Sequence, residues 1–176
     1  MSLTLRAPVI DEAEAMARLH IACWREAYAG IVPAETLAAA DLAQRSAVWR
    51  ETIRDPDRFA LAGFENQMPV AFILVRPNDD PAIIGADGQV AALYVLASHY
   101  RLKLGSRLLA AAARWWLTRG GTALGLGVLA ANARAMAFYE RMGGQVVKRG
   151  SFNWDGYELP DAKYVFDNLP QLAAKA

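Results

Sequence analysis

Ala91 to Leu117 reads AALYVLASHYRLKLGSRLLAAAARWWL, and this stretch decides the fold. It begins as an apolar strand, passes through a short basic stretch ending at Gly105 and Ser106, and continues as an amphipathic helix. Leu108, Leu109, Ala112, Trp115 and Trp116 recur at helical spacing as one apolar stripe, with Arg119 in the last turn and Gly120 as the stop. A strand that ends in a tight loop and restarts as a helix directs several unpaired backbone N–H groups, and the positive end of the helix dipole, at one point. A phosphate suits that point.

Toward the C-terminus, Thr122 to Ala130 (TALGLGVLA) reads as a strand and Asn132 to Met142 (NARAMAFYERM) as a helix ended by Gly143-Gly144. Strands follow at Gln145 to Phe152 and Ala162 to Phe166, with a turn at Asp155-Gly156 between them. Toward the N-terminus, Leu3 to Arg6 is a short alternating strand, and Asp11 with Glu14 predicts a capping box for a helix reaching about Ala27. Met16, Leu19, Cys23 and Ala27 give that helix its core face, and Trp24 with Tyr28 forms a second i, i+4 pair.

A break at Gly30 to Pro33 precedes one further helical portion that ends before Asp55-Pro56. Phe59 to Phe64 and Val70 to Val75 make a hairpin around Glu65-Asn66-Gln67, and a Pro-, Asp- and Gly-rich loop runs from Arg76 to Gly88. Gln89 to Leu96 is nearly all apolar, as a strand covered on both faces would be. The resulting class is α/β in the α+β sense: a mixed, mainly antiparallel central sheet of about seven strands flanked by helices.

At 176 residues the chain is expected to form one domain, 1–176, with one substantial core. Charged residues make up 21% of it and nearly cancel at net +1, so neither a nucleic-acid nor an acidic-membrane partner is expected and any anion site must be local. The N-terminal MSLTLRAPVI lacks an apolar core of signal-peptide length, and Arg107, Arg114 and Arg119 interrupt the Leu/Ala-rich run. A cytoplasmic protein is the expectation. The single Cys23 excludes an intramolecular disulfide, and the distant His20 and His99 offer no ligand spacing, so no metal is expected.

The loop after the fourth strand, together with the strand and the Asn-led, Tyr-bearing helix that follow, resembles the GNAT family of coenzyme A-dependent N-acyltransferases, in element order from roughly Leu3 to Phe166. The resemblance implies acetyl-CoA as co-substrate and a small-molecule or peptide amine as acceptor. It implies that backbone N–H groups of Leu93, Tyr94 and Val95 meet the pantetheine and thioester, with Val95 or Leu96 as oxyanion donor. By the same resemblance Arg101, Leu102, Lys103, Leu104, Gly105 and Ser106 form the pyrophosphate loop, Asn132 and Phe138 flank the coenzyme, and Tyr139 protonates the departing thiolate. Asn132 also reads as an ordinary N-cap, and Phe138-Tyr139 as two core aromatics. Homodimers occur in the family, and no residue pattern here predicts one.

Two departures stand out. The family loop has Arg or Gln, two residues, Gly, one residue, then Gly or Ala. Aligned on Arg101, this chain puts Leu104 at the first glycine; aligned on the helix SRLL, it puts Lys103 there and Gly105 last. Either way a glycine is lost, at about 1 to 3 kcal/mol if the backbone stays left-handed. Arg101, Lys103 and Arg107 can offset the loss by adding charge. The second departure is Gln89, near the position where many members carry a Glu that serves as the base. Glu26, His20, Asp87, His99 or water could take the proton, and the sequence does not choose.

Trp24 and Tyr28 are candidates to line the acceptor pocket, with Phe152, Trp154 and Tyr157 of the last hairpin as a second wall. Gly125 to Ala130 formally matches the dinucleotide fingerprint GxGxxA, but lies inside a strand rather than between a strand and a helix. The remaining rival is a degenerate, non-catalytic member that binds an acyl-CoA or a protein partner. Retention of Tyr139 argues against it. Cys23, on a core face, gives no reason to invoke an acyl-enzyme.

Overall fold

In the computed structural model, which describes residues 3–175, seven strands form one sheet in the order β1-β2-β3-β4-β5-β7-β6. Strands β1 (Leu3–Arg6), β2 (Phe59–Glu65), β3 (Met68–Pro77) and β4 (Gly88–Val95) pair antiparallel. On the far side β5 (Leu124–Leu129), β7 (Tyr157–Phe166) and β6 (Gln145–Trp154) do the same. The β2/β3 turn needs left-handed backbone at Asn66 (φ 49°) and Gln67 (φ 65°), and the β6/β7 turn at Asp155 (φ 50°) and Gly156 (φ 88°). Two consecutive positive-φ residues give the twist a two-residue hairpin requires.

The halves meet where β4 runs parallel to β5, and only at Gly88↔Leu124 and Gln89↔Gly125. Asp87 staples this junction. Its carboxylate accepts from Trp116 Nε1 (2.7 Å), Thr122 N (2.8 Å), Thr122 Oγ1 (2.9 Å) and Ala123 N (3.1 Å). Burial raises the Asp87 pKa, but these bonds outweigh it and bring the group to about 2. Beyond the staple, β4 carries a bulge: Val75 faces Val90 and Leu74 faces Ala92, leaving Ala91 extra. An extra residue bends its strand, and β4 diverges from β5 for the rest of its length.

Helix α4 (Leu104–Thr118) covers one face of the sheet with α5 (Ala133–Arg141) and α6 (Leu169–Ala173), over a core that includes Leu108, Leu109, Leu124 and Phe166. Helices α1 (Ala13–Tyr28) and α3 (Leu42–Arg54) cover the other, over Met16, Trp49, Phe64 and Phe72. The short α2 (Ala34–Ala38) follows the turn at Gly30.

Several sequence expectations are corrected. The chain enters α1 through a 3-10 turn, Ile10–Glu12, closed by Glu12 and not by a box of Asp11 with Glu14. Glu12 accepts from Val9 N (2.9 Å) and pairs with Arg6 (2.6 Å), while Glu14 binds Arg18 on the helix surface. The segment after Pro33 is two helices, because Asp41 accepts from Gln44 N and starts α3 afresh. Strand β7 begins at Tyr157 rather than Ala162, and α6 was not anticipated. Strand β4 is not covered on both faces, since from Ala91 to Val95 no residue is fully buried. Its apolar sequence lines an opening.

Candidate active site

The divergence of β4 from β5 leaves a cavity of about 510 Å³ through the sheet. Tyr139, Asn132 and Ala135 line it from the α4/α5 side, and Trp24, Tyr28, Phe152 and Trp154 from the α1 side and the β6/β7 hairpin, with Gln89 to Tyr94 between. The two aromatic walls expected from the sequence are one group. Trp154 lies 5.6 Å from Trp24 and 5.1 Å from Tyr28, both edge-to-face. Tyr157, the first residue of β7, is exposed and does not line the cavity.

Strand geometry sorts the backbone donors. Leu96 N donates to Val70 O (3.0 Å), so its amide is taken. N–H groups alternate in direction along a strand, and Phe72↔Tyr94 is in register with that bond. The Tyr94 amide therefore points to β3, correcting its expected role as a donor. Leu93 and Val95 point the other way, toward the gap. Tyr94 enters the cavity wall by its side chain instead, with its hydroxyl 2.7 Å from that of Tyr28. Burial pushes both phenols above their ordinary pKa.

The loop before α4 carries its strain at Arg101 (φ 68°) and Lys103 (φ 58°). Lys103 caps the helix in the left-handed conformation a glycine adopts freely, whereas Leu104 is ordinary helix and almost fully buried. The backbone thus follows the alignment with Lys103 at the first glycine and Gly105 last. Gly105 has its own reason to stay small: a Cβ there would lie 3.3 Å from Phe138 Cζ. Phe138 is thereby a packing partner of the loop. Arg107 N makes the first helical bond, to Lys103 O (3.0 Å), so the Leu104, Gly105 and Ser106 amides precede the ladder. Arg101 and Lys103 are exposed, Leu102 is 51% exposed, and neither cation, nor Arg107, forms an ion pair among the described residues. Arg134, not singled out in the sequence, stands over Tyr100 at 4.0 Å beside this loop.

Asn132 caps α5 by accepting from Ala135 N (3.2 Å). Two turns on, Tyr139 is 8% exposed and packs near Tyr164 (6.1 Å) and Phe166 (6.4 Å). Burial pushes its phenol well up, so it keeps its proton at neutral pH. Cys23 is 2% exposed and its thiol is pushed up to about 12 by burial, which leaves no thiolate for acyl transfer.

Of the groups that could take a proton, Asp87 is spent in the staple, and Glu26 accepts from Ala97 N (2.8 Å). His99 faces Glu65 at 3.2 Å. His20 is packed among Trp24, Trp49, Phe72 and Tyr94, and burial, then Arg45, lowers it to about 3. None of these four lines the cavity. Gln89 does, and its Oε1 is buried without a hydrogen bond among the described residues. The sequence reading also missed Asp80, Asp161 and Lys163, which line the cavity. No run or motif marks them, because the sheet brings them together from separate segments.

No group of three or more His, Cys, Asp or Glu suited to a metal occurs among the described residues, and no helix among them is long and apolar enough to cross a membrane.

Residues 13–144 match the family described as Acetyltransferase (GNAT) family. Over 176 residues the chain is 22% identical to an uncharacterized N-acetyltransferase, YuaI, of Bacillus subtilis (strain 168), covering 97% of this chain and 96% of that one. Among solved structures, the PaiA N-acetyltransferase of Thermoplasma acidophilum in complex with coenzyme A superposes with a TM-score of 0.74 at 21% identity, over 94% of this chain and 100% of that one. The putative acetyltransferase YncA of Salmonella typhimurium with acetyl-CoA gives 0.72 at 14%, over 95% and 94%.

Proposed function

Because the chain belongs to the GNAT acetyltransferase family, we propose that it transfers the acetyl group of acetyl-CoA directly to a primary amine of a small molecule or peptide. The observation that carries this reading is the cavity running through the sheet, with a buried phenol on the α5 side and an aromatic group on the α1 side. Two reactants entering from opposite faces meet at the gap between β4 and β5, and holding them there removes most of the entropic cost of encounter.

In this reading the coenzyme lies along the α4/α5 side. Its pyrophosphate takes the Leu104, Gly105 and Ser106 amides, with Arg101, Lys103 and Arg107 supplying charge. Asn132 and Phe138 flank it. The free Leu93 and Val95 amides meet the pantetheine and thioester, Val95 being the donor to the oxyanion as the amine nitrogen attacks the carbonyl carbon. As the C–S bond breaks, the Tyr139 hydroxyl gives its proton to the thiolate. The proton lost by the amine leaves through water, since none of the carboxylates and histidines weighed as bases reaches the cavity. Trp24 and Tyr28, with Trp154, hold the acceptor. A single unit over residues 1–176 is part of the same proposal.

The test is free-thiol release from acetyl-CoA against a panel of amines, with mass spectrometry of product and protein. Acetylated amine and unmodified Cys23 support direct transfer. Acetyl-CoA binding with no turnover of any amine would favour the non-catalytic module instead.

A further inference from the structure

Beside the loop before α4 stands a cation that neither the fold nor the proposed pyrophosphate contacts use. Arg134, in the first turn of α5, lies 4.0 Å over the ring of Tyr100, is exposed, and forms no ion pair among the described residues. The start of a helix favours anions, and no acidic residue lies in that turn to offset the arginine, so its charge works against α5. Its placement follows from the helix period. Arg134 and Phe138 are four residues apart and share a face, about 6 Å from each other along the axis. Phe138 packs against Gly105, where a Cβ would lie 3.3 Å from its Cζ, while Arg134 reaches Tyr100. One face of α5 therefore touches the loop at both ends, with the guanidinium at the end opposite Gly105. A pyrophosphate is already met by the Leu104, Gly105 and Ser106 amides and by Arg101, Lys103 and Arg107. Coenzyme A carries one more phosphate, a monoester on the 3′-oxygen of its ribose, close to doubly charged at neutral pH and one sugar away from the pyrophosphate.

We propose that Arg134, seated on Tyr100, binds the 3′-phosphate of the coenzyme and so makes the protein selective for acetyl-CoA over coenzyme forms that lack this phosphate. The proposal rests on the acetyl-transfer reading for the presence of the coenzyme along this side. A guanidinium offers a phosphate two parallel N–H donors. The face of Tyr100 restrains the guanidinium without occupying those donors, so little side-chain freedom is left to lose when the phosphate arrives.

Calorimetric titration with coenzyme A and with 3′-dephospho-coenzyme A tests this without any acceptor amine. The wild-type protein is expected to bind coenzyme A about ten-fold or more tightly than the dephospho form, the scale of one charge-assisted contact. Arg134→Gln should erase that ratio by weakening coenzyme A alone, and Arg134→Lys should keep part of it. Arg101→Gln should weaken both ligands by the same factor, because the pyrophosphate is common to them. Tyr100→Phe should preserve the ratio and Tyr100→Leu should lower it, since only the ring face is used. Thermal melts of each variant separate a lost contact from a lost fold. Equal affinity of the wild type for the two ligands overturns the proposal and leaves the transfer reading standing. An Arg134→Gln variant that keeps the ratio does the same, as does one that weakens both ligands alike, which would assign Arg134 to the pyrophosphate. Binding of neither ligand by folded protein overturns the transfer reading and this proposal together.

Discussion

Tyr139 is where the proposed chemistry meets a single atom. Its hydroxyl has no hydrogen-bonding partner among the described residues, and its ring is held by Tyr164 and Phe166. Tyr139→Phe should therefore melt near the wild-type temperature and keep the KM for acetyl-CoA, while kcat falls by about 100-fold or more, the usual reach of a general acid. Unchanged kcat would remove Tyr139 from the mechanism. Lys103 offers an independent check on the loop. Its φ of 58° costs a non-glycine residue energy, so Lys103→Gly should stabilise the protein by about 1 kcal/mol in denaturant titration. A loss of stability would mean that the lysine side chain contributes more than the strain. Asn132 and Gly105 were legible because cap and small-residue positions leave local signals, and Tyr139 because the family motif surrounds it. Asp161 was not: an aspartate inside ELPDAKYV says nothing of a lysine two residues on bending over a glycine of another strand.

At the scale of elements, α1 is seated by an uncharged imidazole. His20 packs against Phe72 (4.8 Å) and Trp24 (4.9 Å), and burial lowers it to about 3. The unfolded chain takes up a proton near 6.5 that the folded chain refuses, so stability is full above that pH and is lost as pH falls from about 6.5 toward 3. The loss should reach about 2 kcal/mol by pH 5. Thermal melts across that range measure it, and His20→Phe should flatten the slope between pH 6.5 and 5. Element types were readable from periodicity for β2, β3, α4 and α5. Boundaries failed where a side chain outside the pattern set them, as Glu12 does for the turn that enters α1 and Asp41 for α3. Strand β4 misled for a physical reason: an apolar strand covered on both faces and an apolar strand lining a cleft are written alike.

For the molecule as a whole, the opening between β4 and β5 organises everything else. The Asp87 staple holds one end of the two strands together and the Ala91 bulge turns them apart, so a sheet that would otherwise be continuous acquires a passage with different chemistry at its two mouths. The reading separates the mouths in kinetics. Trp154→Ala should raise the acceptor KM several-fold and leave the acetyl-CoA KM within about two-fold, since it truncates an aromatic wall remote from the loop before α4. The order of strands, and the fact that β4 and β5 touch at only two pairs, lie outside what periodicity can report, because pairing is a property of distant segments. The measurement that bears most directly on the account is calorimetric titration of the folded protein with acetyl-CoA. A loop with Lys103 in place of glycine but with three free cations should bind it in the micromolar range, about 8 kcal/mol. Absence of binding by protein with an intact thermal transition would contradict the account.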